Sequence, residues 1–224
     1  MSTQTGLEWI AGDGWLVFTG EHDDASELRA QTLHRIGLHR GFAYLGLAEA
    51  AGDEEIADFE DLGAPTGYLV NILTEDDETI RRNLRDVGLV VIDSRADPRR
   101  MLDALRGAAA EAVQEAYENG ALVLAEGPVA QIFGACWLSE TGSLHEGLNW
   151  LTDTMILPGV GEQARVREIA APVFERRPRT LALGISNGSA LALGPGATLE
   201  VWGDQPVALT MGPGFLRPSD RAPR

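Results

Sequence analysis

Three segments that follow predicted strands carry side chains able to do chemistry. They are Asp93-Ser94-Arg95, Glu126-Gly127-Pro128 and Ser186-Asn187-Gly188. In an open parallel α/β sheet, ligands bind beyond the carboxyl ends of the strands, so we expect these segments to border one cleft. The candidate ligand-binding residues of this cleft are Glu126, Asp93, Ser94, Arg95, Ser186 and Asn187.

Ser186 stands in a segment that matches the Gly-x-Ser-x-Gly pattern of an esterase nucleophile, Gly184-Ile185-Ser186-Asn187-Gly188. That nucleophile requires a strand, a sharp turn and then a helix. The residues after it, 190–196, contain glycine and proline and cannot form a long helix. Asn187-Gly188 between two apolar runs is instead typical of a β-hairpin, which we predict in preference to a nucleophile.

The single cysteine and the four histidines offer little further chemistry. Cys136 lies in an apolar run that we predict to be helical, so we expect an inert, buried thiol. The histidines are His22, His34, His39 and His145. Only His22-Asp23-Asp24 combines metal-ligating side chains, and its carboxylates fit better as caps of the following helix. We therefore predict no metal site.

Glu126 is the carboxylate for which the sequence allows the most different roles. It directly follows a predicted buried strand, so its side chain would point into the cleft near Asp93, Arg95 and Asn187. It could act as a general acid or base, or bind a cationic or amide ligand. The interpretation that we favour is structural: the carboxylate accepts hydrogen bonds from the helix amides behind it and pairs with an arginine.

Short apolar runs alternate with longer amphipathic stretches, which is typical of a parallel sheet wrapped by helices. We predict strands at 15–18, 42–47, 67–73, 87–93 and 121–125, and helices at 27–36, 54–62, 97–117, 128–137 and 162–174, with Thr74 as a helix cap. Short strands at 180–185, 190–193, 198–202 and 207–211 predict an antiparallel extension at one sheet edge. We expect one α/β domain over residues 1–216 and a flexible tail over 217–224.

The charge balance excludes several classes of function. The chain of 224 residues has 34 acidic and 18 basic residues, a formal net charge of -16, and every basic residue is arginine. The absence of lysine excludes a Schiff-base, P-loop or kinase-type lysine. The acidic excess opposes binding to nucleic acid. We find no signal-peptide pattern and no apolar run of about 18 residues, so we predict a cytoplasmic protein that binds no membrane.

From about Val87 to Met211, the chain resembles the cyanophycinase and dipeptidase E family of serine peptidases. The resemblance rests on segments in the family's order: 89–105, 120–130, Gly147-Leu148-Asn149-Trp150-Leu151 and 183–191. This family shares the flavodoxin-like fold of class I glutamine amidotransferases. The resemblance therefore implies a three-layer sandwich with a mostly parallel central sheet, and it implies no cofactor.

The chain departs from this family at each catalytic position. The family's serine stands in Gly-Thr-Ser-Ala-Gly-Ala, where this chain has Gly127. The histidine's place falls at Gly159, and that of its acidic partner at Asn187. A serine hydroxyl attacks only when a positioned base takes its proton, so the inherited mechanism has lost all of its parts.

The resemblance and these departures together predict a non-catalytic homologue that acts as a binding or assembly module. Its ligand would be a small molecule or a peptide, and the resemblance leaves a homodimer open. The alternative is a diverged hydrolase that uses Glu126, Asp93 or Ser186 in the same cleft on a small peptide or amide substrate.

Overall fold

A computed structural model describes residues 6–21, 26–36, 40–48 and 52–215. The strands are β1 (Glu8–Trp9), β2 (Trp15–Thr19), β3 (Phe42–Gly46), β4 (Gly67–Asn71), β5 (Leu89–Ile92), β6 (Leu122–Ala125), β7 (Cys136–Leu138), β8 (Leu144–Glu146), β9 (Leu151–Thr152), β10 (Thr154–Pro158), β11 (Leu181–Ile185), β12 (Ser189–Gly194), β13 (Thr198–Gly203) and β14 (Val207–Met211). The helices are α1 (Ser26–Arg35), α2 (Asp53–Asp61), α3 (Asp77–Leu84), α4 (Pro98–Leu105), α5 (Ala108–Glu118) and α6 (Gln163–Arg176), and a 3-10 helix spans Gly127–Phe133.

A seven-stranded sheet forms the centre of the molecule, in the order β13-β12-β2-β6-β5-β3-β4. The five strands from β2 to β4 run parallel, whereas β12 and β13 are antiparallel to their neighbours. Strands β5 and β6 are buried along their whole length, as their continuous apolar sequences require. The mostly parallel sheet with an antiparallel edge confirms the predicted fold class.

Helices cover both faces of this sheet and make three layers. Leu28 and Leu33 of α1 and Phe59 of α2 pack on one face, against the side chains of Phe42 and Tyr44. On the other face lie α3, α4, α5 and the 3-10 helix, whose apolar side chains join a larger core. The alternating inward and outward residues of each central strand therefore meet helices on both sides, which leaves the loops at the strand ends to form a site.

Local signals explain where most helices begin. Asp97 accepts a hydrogen bond from the amide of Arg100, and Pro98 occupies the first turn of α4, as predicted. The predicted cap at Thr74 is wrong, because Asp76 accepts the amide hydrogen bond of Thr79 and begins α3. The predicted helix over 97–117 divides into α4 and α5 at Gly107, where φ is +96°.

A second, three-stranded sheet extends the molecule, in the order β10-β11-β14. Strands β10 and β11 are parallel, and β14 is antiparallel to β11. Helix α6 packs on one face of this sheet through Val166, Ala170 and Val173. The remaining strands form two short antiparallel pairs, β1 with β9 and β7 with β8. None of the helices in the described ranges is long and apolar enough to cross a membrane.

Two predicted elements around the second sheet are wrong. The amide of Ser189 donates to the carbonyl of Ser186 and closes the expected turn, but β11 and β12 pair in different sheets and form no hairpin. The predicted helix over 128–137 ends at Phe133, because Gly134 passes too close to the backbone of β10 to carry a side chain. Cys136 therefore lies in strand β7, where it is buried as expected.

Candidate functional site

An open cleft of about 810 Å³ lies beyond the carboxyl ends of β2 and β6. Its lining residues are Gly20, Glu21, Glu27, Leu28, Arg29, Ser94, Glu126, Gly127, Pro128, Asn187, Gly188, Gly203, Asp204 and Gln205. We call it the Glu21 cleft. Glu126, Ser94 and Asn187 of the predicted ligand-binding set line it, whereas Asp93, Arg95 and Ser186 do not. Pro128 lines the cleft, but Trp137 and Trp150 pack in the core.

Gly127 occupies a sharp turn between β6 and the 3-10 helix. Its φ of +60° lies in the left-handed region, in which a residue with a side chain is strained. A Cβ atom at this position would meet Glu21 Cγ at 3.7 Å, which is an ordinary contact. The strand-turn-helix backbone is therefore present at Gly127, with room for a side chain that the sequence does not supply.

Gly159, which follows β10, lies close to the same point. Its φ is +77°, and a Cβ atom there would lie 3.2 Å from Oδ1 of Asn187 and 3.8 Å from Cδ of Glu21. Gly127, Gly159 and Asn187 come from three distant parts of the chain, yet Gly127 and Gly159 both adjoin the side chain of Glu21, and Asn187 adjoins Gly159. The described residues that line this cleft include one hydroxyl side chain, Ser94, and no imidazole.

Glu126 is held at the floor of the cleft by an arginine. Arg29 Nη2 donates to Glu126 Oε2 at 2.8 Å and Nε donates to Oε1 at 3.1 Å, while Nη1 donates to Asp58 Oδ2 at 3.1 Å. The guanidinium also lies over the ring of Phe59, 5.0 Å from its centroid. Burial disfavours the charge on Arg29, but the hydrogen bonds and charge of Glu126 outweigh burial, and the pKa of Arg29 is raised.

The predicted arginine partner of Glu126 is thus present, but the predicted hydrogen bonds from helix amides are not. Glu126 stands at the N-cap of the 3-10 helix, and its side chain accepts no capping hydrogen bond. Both carboxylate oxygens instead accept from Arg29, in the bidentate geometry that makes such pairs strong. Glu126 is 4% exposed, so this pair lies beneath the open surface of the cleft.

Asp93 and Arg95 are engaged in a separate cluster at the carboxyl end of β5. Asp93 Oδ1 accepts from the hydroxyl of Tyr44 at 2.9 Å and from the amide of Arg95 at 3.0 Å. The side chain of Arg95 pairs with Glu54 and Glu55 of α2. Burial raises the pKa of Tyr44, and the charge of Asp93 raises it further, so the phenol keeps its proton and donates to Asp93.

The other nucleophile and base candidates lie away from the cleft. The Ser186 hydroxyl donates to the carbonyl of Pro206 at 2.6 Å, and it lies so close to Gly161 that a Cβ atom there would clash with its Oγ. Burial raises the pKa of the Cys136 thiol, as expected of an inert cysteine. His34 lies on the exposed side of α1, and His145 stacks on the ring of Trp137.

Residues 22–24, His39 and the tail 217–224 lie outside the described ranges. Within the described ranges, no group of histidine, cysteine and carboxylate side chains could hold a metal ion.

Glu21 is the cleft residue that sequence reasoning missed. It follows β2 by two residues, so the rule that ligands bind beyond the carboxyl ends of strands would have pointed to it. Among the described residues that line the cleft, Glu21, Glu27, Glu126 and Asp204 are carboxylates and Arg29 is the one cation, which Glu126 and Asp58 already engage. The cleft therefore presents an excess of negative charge to solvent.

Comparison with known proteins extends only to the fold. No family model and no curated protein matches the chain. A peptidase from an acI-B1 Actinobacterium has a similar structure, with a TM-score of 0.67 and 15% identity over 90% of this chain and 96% of that chain. A Listeria monocytogenes EGD-e protein, provisionally named peptidase E, has a TM-score of 0.63 and 17% identity over 85% of this chain and 98% of its own. This chain therefore has a peptidase E-like α/β fold.

Proposed function

We propose that the protein is a non-catalytic homologue of the cyanophycinase and peptidase E group, which uses the Glu21 cleft to bind a small amine or peptide ligand. One observation carries this proposal. The side chain of Glu21 adjoins Gly127 and Gly159, Asn187 adjoins Gly159, and these three positions supply neither a hydroxyl nor an imidazole. Acyl transfer by the inherited route needs both groups, because the hydroxyl is a weak nucleophile without its base.

The contacts of Glu126, Asp93 and Ser186 count against a diverged hydrolase. A general acid or base must reach the proton that it transfers. Glu126 accepts from Arg29 with both oxygens, Asp93 accepts from Tyr44, and Ser186 donates to a backbone carbonyl. None of the three presents an unengaged reactive atom to the open cleft.

The charge of the cleft supports an amine as the ligand. Glu21, Glu27 and Asp204 are exposed carboxylates around one opening, and an ammonium group between them would gain from each. The side-chain amides of Asn187 and Gln205 can hydrogen-bond a peptide group or a carboxylate beside that ammonium. An amino acid or short peptide with a free amino terminus combines these features.

The absence of hydrolysis can be tested with aspartyl and β-aspartyl dipeptides and with a serine-directed phosphonate. We expect no product above the uncatalysed rate and no adduct in the intact mass spectrum. Stoichiometric phosphonate labelling at one residue, or turnover that Ser94→Ala abolishes, would overturn the non-catalytic interpretation.

Ligand binding can be tested by a thermal-shift screen with amino acids and dipeptides, followed by calorimetry on the compounds that raise the melting temperature. We expect Glu21→Gln to weaken binding about tenfold, because it removes an attraction between the carboxylate and the ammonium of about 1 kcal/mol or more. Glu115→Gln makes the same change at an exposed site on α5 and should leave binding unaltered. Equal affinities in the two variants would exclude Glu21 as the anchor.

A further inference from the structure

Strand β14 is an open edge of the three-stranded sheet. It pairs with β11 on one side, and no hydrogen bond from another described residue reaches its other side. Leu209 is 37% exposed and Met211 is 51% exposed. A groove of about 520 Å³ follows the strand beside α6, and its lining includes Arg167 of the helix and Leu209, Thr210 and Met211 of the strand. An unprotected strand edge of this kind is a template for pairing with another chain.

The register of β14 shows which backbone groups face outward. The amide of Gly212 donates to the carbonyl of Thr180, and the amide of Ser186 donates to the carbonyl of Pro206. In an antiparallel pair, residues bonded to the partner alternate with residues that point away from it. The even-numbered residues of β14 are therefore bonded to β11, and Val207, Leu209 and Met211 direct their N–H and C=O groups to the open edge.

The sequence of this edge is uncharged, although the chain as a whole is strongly acidic. Residues 205–215 contain no charged side chain, whereas the chain has 34 acidic and 18 basic residues. The edge strand β13 differs, because it carries Glu200, which pairs with Arg35. Two copies of a chain with a net charge of -16 repel each other, so a surface that lacks charge on both copies favours their close approach.

The strand is also complementary to itself. If two copies pair antiparallel about Leu209, then Leu209 lies opposite Leu209, Val207 opposite Met211, and Ala208 opposite Thr210. Each outward-facing residue then meets another outward-facing residue and can exchange both backbone hydrogen bonds with it. The apolar side chains of Val207, Leu209 and Met211 meet as cross-strand pairs, which stabilise a sheet.

We infer that β14 is a homodimerisation edge, on which a second copy of this chain adds its own β14 to form a continuous six-stranded sheet. The two-fold axis passes at Leu209, and the two α6 helices lie on the same face of the joined sheet. A pairing of two short strands buries an area at the low end for specific complexes, so the dimer forms at about micromolar concentration.

Sedimentation of the full chain across concentrations from about 0.1 to about 100 μM tests this inference. We expect a reversible shift toward twice the 24.0 kDa mass of one chain. Added salt should strengthen the dimer, because it screens the repulsion between two acidic subunits. Leu209→Arg places two like charges opposite each other at the axis and should raise the dissociation constant at least about tenfold.

Two further variants separate strand pairing from other causes. Leu209→Pro removes an N–H that points to the open edge but leaves the β11 ladder intact, so it should weaken the dimer while the fold persists. Leu199→Arg makes the arginine change on the edge strand β13, at a side chain 48% exposed, and should leave the dimer unaltered.

A monomer at every concentration would overturn the inference. If deletion of residues 216–224 then produced a dimer, the tail would be the occupant of the edge. A monomer that stays monomeric after the deletion would leave the edge to a foreign extended peptide. A dimer that survives both Leu209 variants would place the interface elsewhere and would equally overturn the inference.

Discussion

The pairing of Arg29 with Glu126 fixes the carboxylate that directly precedes the turn at Gly127. A carboxylate that is 4% exposed would be costly without a partner, and Arg29 meets both of its oxygens. Phe59 covers one face of the guanidinium, so the arginine is fixed by packing as well as by charge. The pair therefore supports the floor of the cleft and connects α1 to the end of β6.

Removal of one member of this pair should destabilise the protein. Arg29→Met leaves a buried carboxylate without its cation, and we expect it to lower the free energy of unfolding by about 3 kcal/mol. This value is at the low end for buried pairs, because the other end of the guanidinium reaches the half-exposed Asp58. Urea denaturation followed by circular dichroism measures the change.

Two comparisons distinguish this structural role from a general effect of losing an arginine. Arg29→Met combined with Glu126→Met should recover most of the stability, since no unpaired charge remains. Arg165→Met, in the exposed pair with Glu168, should cost less than about 1 kcal/mol. A similar small loss in Arg29→Met would mean that Glu126 does not depend on its partner.

The sequence pointed to some residues of the cleft and missed others, and the difference between the two groups has a physical reason. Gly127, Gly159 and Asn187 were located through the family resemblance, because each lies in a short segment that can be compared locally. Glu21 belongs to no pattern, and its position depends on how the loop after β2 meets the loops after β6 and β10. The engagement of Asp93 by Tyr44 is a contact between neighbouring strands that one sequence cannot reveal.

At the scale of elements, local patterns predicted the alternating strands and helices but not every strand partner. The strand at 207–211 has the predicted bounds, and the alternation through β6 follows the prediction closely. The turn at Asn187-Gly188 was also predicted, since Asn-Gly reverses the chain locally. Strands β11 and β12 are buried and apolar, so either could pair with several neighbours, and only the tertiary packing assigns them to different sheets.

The break between α4 and α5 depends on one glycine, and its replacement should be costly. Gly107 has φ +96° and ψ -134°, a conformation that is essentially restricted to glycine. A Cβ atom there would meet nothing within 4 Å, so the cost of Gly107→Ala comes from the backbone alone. We expect a loss of about 1–3 kcal/mol in the free energy of unfolding, measured by urea denaturation.

Gly41→Ala is the matched control for this backbone effect. Gly41 does not have a positive φ, and a Cβ atom on it would meet only Tyr68, at 3.9 Å. We expect a change within about 0.5 kcal/mol. If both variants lost the same free energy of unfolding, the backbone conformation of Gly107 would not be the cause of the loss.

At the scale of the whole molecule, the chain has a peptidase E-like fold, with glycine at positions 127 and 159 and asparagine at position 187. The central sheet, its helices and the turn at Gly127 are all present, so the architecture forms with glycine at that turn. A fold can host many functions, because function depends on the site rather than on the scaffold. The strong acidic excess is a second property of the whole chain.

This excess of negative charge should make stability depend on salt. Self-repulsion among surplus carboxylates destabilises the compact state, and dissolved ions screen it. We expect the melting temperature to rise by several degrees when sodium chloride is raised from about 0.02 M to about 0.5 M. The melting temperature should be measured on the Leu209→Arg variant, so that association between two chains does not contribute. A lower melting temperature in salt would mean that attractive ion pairs outweigh the repulsion.

Cys136 gives the molecule a built-in reporter of its own fluctuations. The side chain is the sole thiol, and strand β7 keeps it fully buried against the second sheet. A water-soluble thiol reagent can react with it only while that region is transiently open. The rate at which such a reagent modifies Cys136 in buffer therefore measures how often the region around the second sheet opens, without any engineered label.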